Sequence, residues 1–254
     1  MRKLNIINKK VELILLAAMA LVLAPFARSL PVTDLLGSVD ATSGWIISTI
    51  TDSAGQRGLW LTIVILSALS LYKQPLNRTE IFKYIVQFTV IFMIAYFGKN
   101  VLKELLESPR PYTELLTHEL LLPNPEHFYK LGSSQQLAIL DQVVDKVSEW
   151  RLRHWYQEMN YSLPSGHTVF AALCLAFFGA IFVRQQRFIL ASVVVLWATL
   201  AAYSRVWLGM HRPEDLYAGI VFVAAVVTFT PNVGEWLVAK MPGHVKQQWL
   251  KASH

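Results

Sequence analysis

The chain has 254 residues, 54% of them hydrophobic and 16% charged, with a mean hydropathy of +0.40. Soluble domains carry about 45–50% apolar and roughly 25% charged residues, so composition argues against a soluble enzyme, a nucleic-acid-binding domain and a disordered chain. The single cysteine, Cys174, excludes an internal disulfide and a cysteine-built metal cluster, and the net charge of +6 follows from topology, as set out below.

A helix crosses the hydrocarbon core with about 20 apolar residues, roughly 17–25 being tolerated. Six such segments are predicted, which makes the chain an all-α polytopic membrane protein with one membrane-embedded domain over 1–254. The first, about 11–30, follows a basic start. Its apolar run is longer than a signal core and ends in Pro25-Phe26-Ala27-Arg28, so it is expected as a retained anchor and not a cleaved leader. A connection over 31–58 leads to a short second span at 59–72, and the third covers 81–101. The next connection, 103–164, is roughly 60 residues long, enough for a helical subdomain of its own. Within it Leu140, Val143, Val144, Val147 and Trp150 fall at three-to-four spacing, followed by Trp155 and Tyr156. That pattern predicts an amphipathic helix, either lying at the membrane interface or packed on the spans. The fourth to sixth spans are 165–183, 188–208 and 216–238, the last interrupted by Pro231.

With the N-terminus inside, six spans return the C-terminus inside. The inner segments then hold twelve basic residues against Glu12, Glu80 and Glu235, and the outer ones eleven basic against fourteen acidic. Both short inner loops and both tails are basic, which satisfies the positive-inside rule. The basic balance is thereby a topology signal and implies no nucleic acid.

Three clusters of ionisable residues lie near span ends, all on the outer face, where such residues tend to be functional. In Lys103-Glu-Leu-Leu-Glu-Ser-Pro-Arg110-Pro111, the two cations are seven residues apart, about two helical turns. Pro109 and Pro111 push Arg110 toward an extended conformation. An ammonium beside a forked guanidinium suits phosphate. In Pro164-Ser165-Gly166-His167, Ser165 suits a helix N-cap, Gly166 lets a ligand approach the backbone, and His167 sits in the first turn, where the dipole favours its neutral form unless a bound anion counters this. In Ser204-Arg205-x5-His211-Arg212-Pro213-Glu214-Asp215, Pro213 suits the first helical position. Asp215 then lies four residues past His211, placed to orient its imidazole. Read singly, these are also compatible with a basic rim, a plain cap and a surface ion pair.

Taken together and in this order, Lys103-x6-Arg110-Pro111, Pro164-Ser165-Gly166-His167 and Ser204-Arg205-x5-His211-x3-Asp215 resemble the tripartite signature of the type 2 phosphatidic acid phosphatase family. The resemblance covers about two dozen positions between Lys103 and Asp215, with no departure at the signature residues, and it fits a layout whose large periplasmic loop joins the first two motifs. It implies a lipid phosphatase of a bacterial inner membrane, with the site on the periplasmic face and no metal or other cofactor. By it, His211 is the nucleophile that forms a phosphohistidine, Asp215 orients His211, and His167 protonates the leaving oxygen and then assists water. Lys103, Arg110, Ser165, Gly166 and Arg205 hold the phosphoryl oxygens. The implied partners are the bilayer and its phosphorylated lipids, phosphatidylglycerol phosphate, phosphatidic acid or a polyprenyl diphosphate, with no protein partner required.

Glu158 lies outside the signature but near its second motif. It is read as a solvated loop glutamate, with headgroup binding or pairing to a site cation as the alternative. A rhomboid-like serine protease is disfavoured because Leu163 stands where its Gly-x-Ser-Gly motif needs glycine, and because it leaves Lys103, Arg110 and Arg205 without a task. A His-Glu-x-x-His zinc site is missing, and His118, His127 and His154 are scattered. A lipid transporter or scramblase leaves His167, His211 and Asp215 unused.

Overall fold

The computed structural model describes residues 8–28, 30–73 and 78–243; Arg2, Lys3, Lys246 and Lys251, which enter the inner charge count, lie outside them. Among the described residues every regular element is helical, apart from an isolated bridge between Gly37 and Val147. Four stretches are long and apolar enough to cross a membrane: Arg78–His118, Gly166–Arg184, Phe188–Trp207 and Pro213–Lys240. The helices α2 (Ala41–Ala54) and α3 (Leu59–Leu71) meet at 73° and make a fifth if the bent pair is one span. The first predicted segment forms α1 (Lys9–Leu23), whose fifteen residues are short of a full crossing. The six predicted spans are therefore matched by four or five.

A second departure lies in the predicted connection 31–58, where α2 occupies fourteen residues. Asp40 caps it, its carboxylate accepting from Ser43 N at 3.0 Å. Its Thr, Ser and Gly content lowers its hydropathy, yet Gly44, Ser48, Thr51 and Ala54 are buried.

The bundle is built around the helix run 166–184, which comprises α8 (Gly166–Cys174), a π-helical turn (Leu175–Gly179) and α9 (Ala180–Arg184). Of its apolar window 83% is buried, against 17% for the window in 78–118. That contrast puts α8 in the centre and α4 (Arg78–Leu106) at the rim, where Ile85, Ile94, Phe97, Val101 and Leu105 face outward as a lipid-facing surface requires. Around the run 166–184 pack α1, on its π-helical turn and α9, and α4, α10 (Phe188–Trp207) and α11 (Pro213–Phe229), on α8. After the break at Pro231, α12 (Val233–Lys240) returns to α4, where Gln87 Oε1 accepts from Val233 N at 2.9 Å. Twenty-nine residues make α4 about 43 Å long, more than the roughly 30 Å hydrocarbon thickness, so its Lys103 end projects toward the headgroups.

The loop 103–164 has its own core. Tyr112 and Leu115 from α5 (Pro111–His118), Leu140 from α6 (Ser133–Asp141) and Trp155 from α7 (Glu149–Trp155) are each fully buried with Phe128, Val143, Leu208 and Met210. Tyr112 stacks on Trp155 at 5.1 Å and meets Phe128 edge-on at 5.6 Å, contacts worth about 0.5–1.5 kcal/mol each beyond area burial. The predicted single amphipathic helix through Leu140–Trp150 is broken here. The chain turns after Asp141, Lys146 O accepts from Gly37 N at 2.7 Å, and Ser148 caps α7. Its apolar residues Leu140, Val143 and Val147 pack inward, so their spacing reflects a core and not an interfacial helix.

Candidate active site

The three motifs converge at one end of the bundle. The first leaves α4 through Glu107, in a left-handed conformation (φ 44°), and Arg110 is extended before Pro111 opens α5. Lys103 and Arg110 both reach back to the segment 158–162. The Lys103 ammonium donates to Tyr161 O and, at 3.4 Å, to Ser162 O. The fully buried Arg110 guanidinium donates to Asn160 O at 2.7 Å, Asn160 Oδ1 at 2.8 Å, Glu158 Oε2 at 3.2 Å and Met210 O at 3.1 Å.

The third motif folds around Gly209, whose φ of +69° and whose missing Cβ, which would lie 2.7 Å from Leu35, both require glycine. The turn lets Met210 N and His211 N donate to Arg205 O, which sets His211 beside the end of α10. Pro213 is the first residue of α11, and Asp215 Oδ2 accepts from Arg212 N at 2.9 Å as an N-terminal capping interaction. His211 Nδ1 lies 3.2 Å from the same oxygen, and His211 Nε2 lies 3.2 Å from an Arg110 N–H. Guanidinium only donates, so Nε2 is the acceptor and the proton sits on Nδ1. His211 is 1% exposed. Burial, and then Arg110, Lys103 and Arg205 beside it, hold its pKa well below the usual imidazole value, so the ring is neutral.

In the second motif Ser165 is the N-cap of α8, accepting from Thr168 N at 3.4 Å and from the Thr168 hydroxyl at 3.0 Å. Ser165 N donates to Asp215 O at 3.1 Å, which joins the second motif to the third. Gly166 and His167, with Lys103 and Glu158, line a cavity of about 690 Å³ whose other walls include the apolar Phe92, Val169, Phe170 and Leu173.

Glu158 is not a solvated loop residue. It pairs with Arg205 at 2.7 Å and Arg110 at 3.2 Å, and its Oε1 lies 3.7 Å from His167 Nδ1. About a quarter of its side chain remains accessible, on the cavity side. Burial alone would raise its pKa, but Arg205, His167 and Arg110 outweigh that and hold it well below the usual carboxylate range. Arg205 and Arg110 are fully buried behind it. Arg205 also donates to Thr51 Oγ1 at 2.9 Å, while its Nε is buried without a hydrogen-bond partner among the described residues.

Sequence reading missed three neighbours. Thr51 comes from the unforeseen α2. His154 is 2% exposed and 3.4 Å from Ser48 Oγ; burial, then Arg205, pushes its pKa down to about 3. Ser162 lies among Lys103, His211 and Asp215. Among the described residues no group of three His, Cys, Asp or Glu side chains is placed to hold a metal ion.

Residues 84–238 match the PAP2 superfamily. The chain is 24% identical over 201 residues to phosphatidylglycerophosphatase B of Escherichia coli strain K12, covering 78% of this chain and 76% of that protein. It is 37% identical over 127 residues to phosphatidylglycerophosphatase B of Haemophilus influenzae, 47% of this chain and 52% of that one. The match to the superfamily spans more than half of the chain and contains all three motifs, and on that ground the chain belongs to the PAP2 superfamily.

Proposed function

We propose that this protein is an integral-membrane lipid phosphatase that hydrolyses phosphate monoester or diphosphate lipids through a phosphohistidine. The observation that carries the reading is the state of His211: its Nδ1 proton is held by Asp215 and its Nε2 lone pair faces the buried Arg110 guanidinium, which pairs with Glu158 on the wall of a partly apolar cavity. Nε2 attacks phosphorus as the bond to the lipid oxygen breaks, His167 supplies the proton to that oxygen, and the imidazole becomes a cation that Asp215 stabilises. Water activated by His167 then attacks the phosphohistidine and releases phosphate. Lys103, Arg110, Arg205 and the first amides of α8 stabilise charge on the phosphoryl oxygens, the role a divalent ion plays in many phosphoryl-transfer enzymes. The unpartnered Arg205 Nε is one donor ready for this task. Glu158 holds both guanidinium groups in this structure, so the substrate phosphate replaces a carboxylate already there.

Phosphatidylglycerol phosphate, phosphatidic acid, lysophosphatidic acid, diacylglycerol pyrophosphate and undecaprenyl diphosphate all offer the required group, and the names of the relatives favour the first. The lipid reaches the cavity by lateral diffusion, its chains against Phe92 and Phe170. With α1 and the α2–α3 pair each counted as a span, six spans place both termini in the cytoplasm and the site on the periplasmic face of the inner membrane.

The test is phosphate release from these lipids by purified protein in detergent with EDTA, wild type beside His211→Ala. Turnover that survives EDTA and disappears in the variant is expected. Loss of turnover with EDTA, or a variant as active as wild type, overturns the reading.

A further inference from the structure

The hydroxyl of Ser162 stands where the orientation of His211 is decided. Ser162 Oγ is 3.1 Å from His211 Nδ1 and donates a hydrogen bond to Asp215 Oδ2. The Nδ1 proton thus has two acceptors at nearly equal distance, Ser162 Oγ at 3.1 Å and Asp215 Oδ2 at 3.2 Å. The bonds form a closed triangle. Nδ1–H donates to the hydroxyl and the carboxylate, and the hydroxyl donates its own proton to the carboxylate. Asp215 Oδ2 also serves Arg212 N as a helix cap, so that oxygen is shared among three donors. The hydroxyl gives the imidazole N–H a second acceptor beside the shared carboxylate oxygen.

The residue is built into its place. Ser162 is fully buried, its N–H donates to Ser108 O at 2.8 Å, and its carbonyl accepts from Lys103. It therefore ties the Lys103–Arg110 segment to the His211–Asp215 pair. It meets His211 on the Nδ1 side, whereas Nε2, the attacking nitrogen of the proposed mechanism, faces Arg110.

We infer that Ser162 is a positioning residue for His211: with Asp215 it locks the proton on Nδ1 and keeps the Nε2 lone pair aimed at the phosphoryl group. This rests on the proposed nucleophilic role of His211. In the step it assists, the bond from Nε2 to phosphorus forms as the bond from phosphorus to the lipid oxygen breaks. Nδ1 keeps its proton throughout, and the triangle spreads the new positive charge of the ring over two acceptors.

The test is a kinetic cycle in detergent with phosphatidic acid, using wild type, Ser162→Ala, Asp215→Asn, the double variant and His211→Ala, with thermal unfolding checked for each. Ser162→Ala is expected to lower kcat at least tenfold with KM unchanged within about twofold, because a group acting only through the nucleophile does not alter ground-state binding. Loss in the double variant is expected to be at most about threefold beyond that of the worse single variant, since both act on one N–H. A Ser162→Ala enzyme with wild-type kcat, a loss confined to KM, or fully additive losses overturns the inference while His211→Ala remains inactive. An active His211→Ala overturns the underlying reading instead. If Ser162→Ala does not fold, Ser162→Cys, of nearly the same shape but a weak hydrogen-bonding group, goes through the same cycle under the same criteria.

Discussion

At the level of single residues, the carboxylate of Glu158 stands where an anion is wanted, against Arg205 at 2.7 Å and Arg110 at 3.2 Å. Its depressed pKa keeps it ionised across the working pH range, so protonation does not clear the site and a competing anion must. Glu158→Gln removes that competitor. Orthovanadate, a phosphoryl analogue, should then inhibit about tenfold more tightly, close to 1.4 kcal/mol. The same change leaves two buried guanidinium groups without a counter-charge. The variant should therefore unfold at lower temperature than wild type, with vanadate restoring it by linkage. Vanadate inhibition that is unchanged or weaker in the variant would sink the idea. The signature residues were legible from chain order, because each motif combines a cation or imidazole with a residue that fixes local backbone: Pro111, Ser165, Pro213. Thr51 and Ser162 were not legible in their roles, and for Glu158 pairing with a site cation stood only as the second reading. They are short-range polar partners brought in by other segments, and a lone Glu, Thr or Ser near a span end has no spacing that distinguishes it from a solvated residue.

Among the elements, the break between α2 and α3 lies against His167, the proposed general acid. Gly55 ends α2, and a Cβ there would come within 2.6 Å of His167 Nε2. The atom met is the tip of a side chain, so Gly55→Ala should leave folding nearly intact and displace the imidazole instead. Misplacing a proton donor by a fraction of an ångström is expected to cost about tenfold or more in kcat. Vanadate affinity should stay within about twofold, because Arg110 and Arg205 are untouched. A variant with wild-type kcat would show that His167 tolerates the shift and is not held in place by this break. The long spans announced themselves through uninterrupted apolar runs. The polar helix α2 did not, since Thr42, Ser43, Ser48 and Thr51 read as a loop when only hydropathy is followed, although Asp40 and its bond to Ser43 are an ordinary helix start. In 140–155 the opposite error arose: helical spacing ran across a turn, because three-to-four periodicity also appears when successive short segments feed one core.

At the scale of the whole molecule, orientation rests on the distribution of lysine and arginine, and accessibility tests it directly. Cys174, the single cysteine, is fully buried in the centre of the bundle, so the native protein should be silent to a membrane-impermeant maleimide. One cysteine can then be introduced at each end. Leu120, 91% exposed on the loop subdomain, lies at the end that carries the signature. Lys240, exposed at the end of α12, lies toward the opposite end, near the α4 terminus that carries Lys83. In intact spheroplasts Leu120→Cys should label and Lys240→Cys should label only after lysis, as expected for a site that faces the periplasm and a C-terminus that faces the cytoplasm. The reverse pattern would turn the molecule over and require a cytoplasmic source of substrate. Labelling of both before lysis would mean an even number of crossings between them, against the three that 166–240 supplies. Both positions follow α4, so the labelling fixes which side the signature and the end of α12 face and tests the three crossings of 166–240, while any crossing by α1 or the bent α2–α3 pair precedes both.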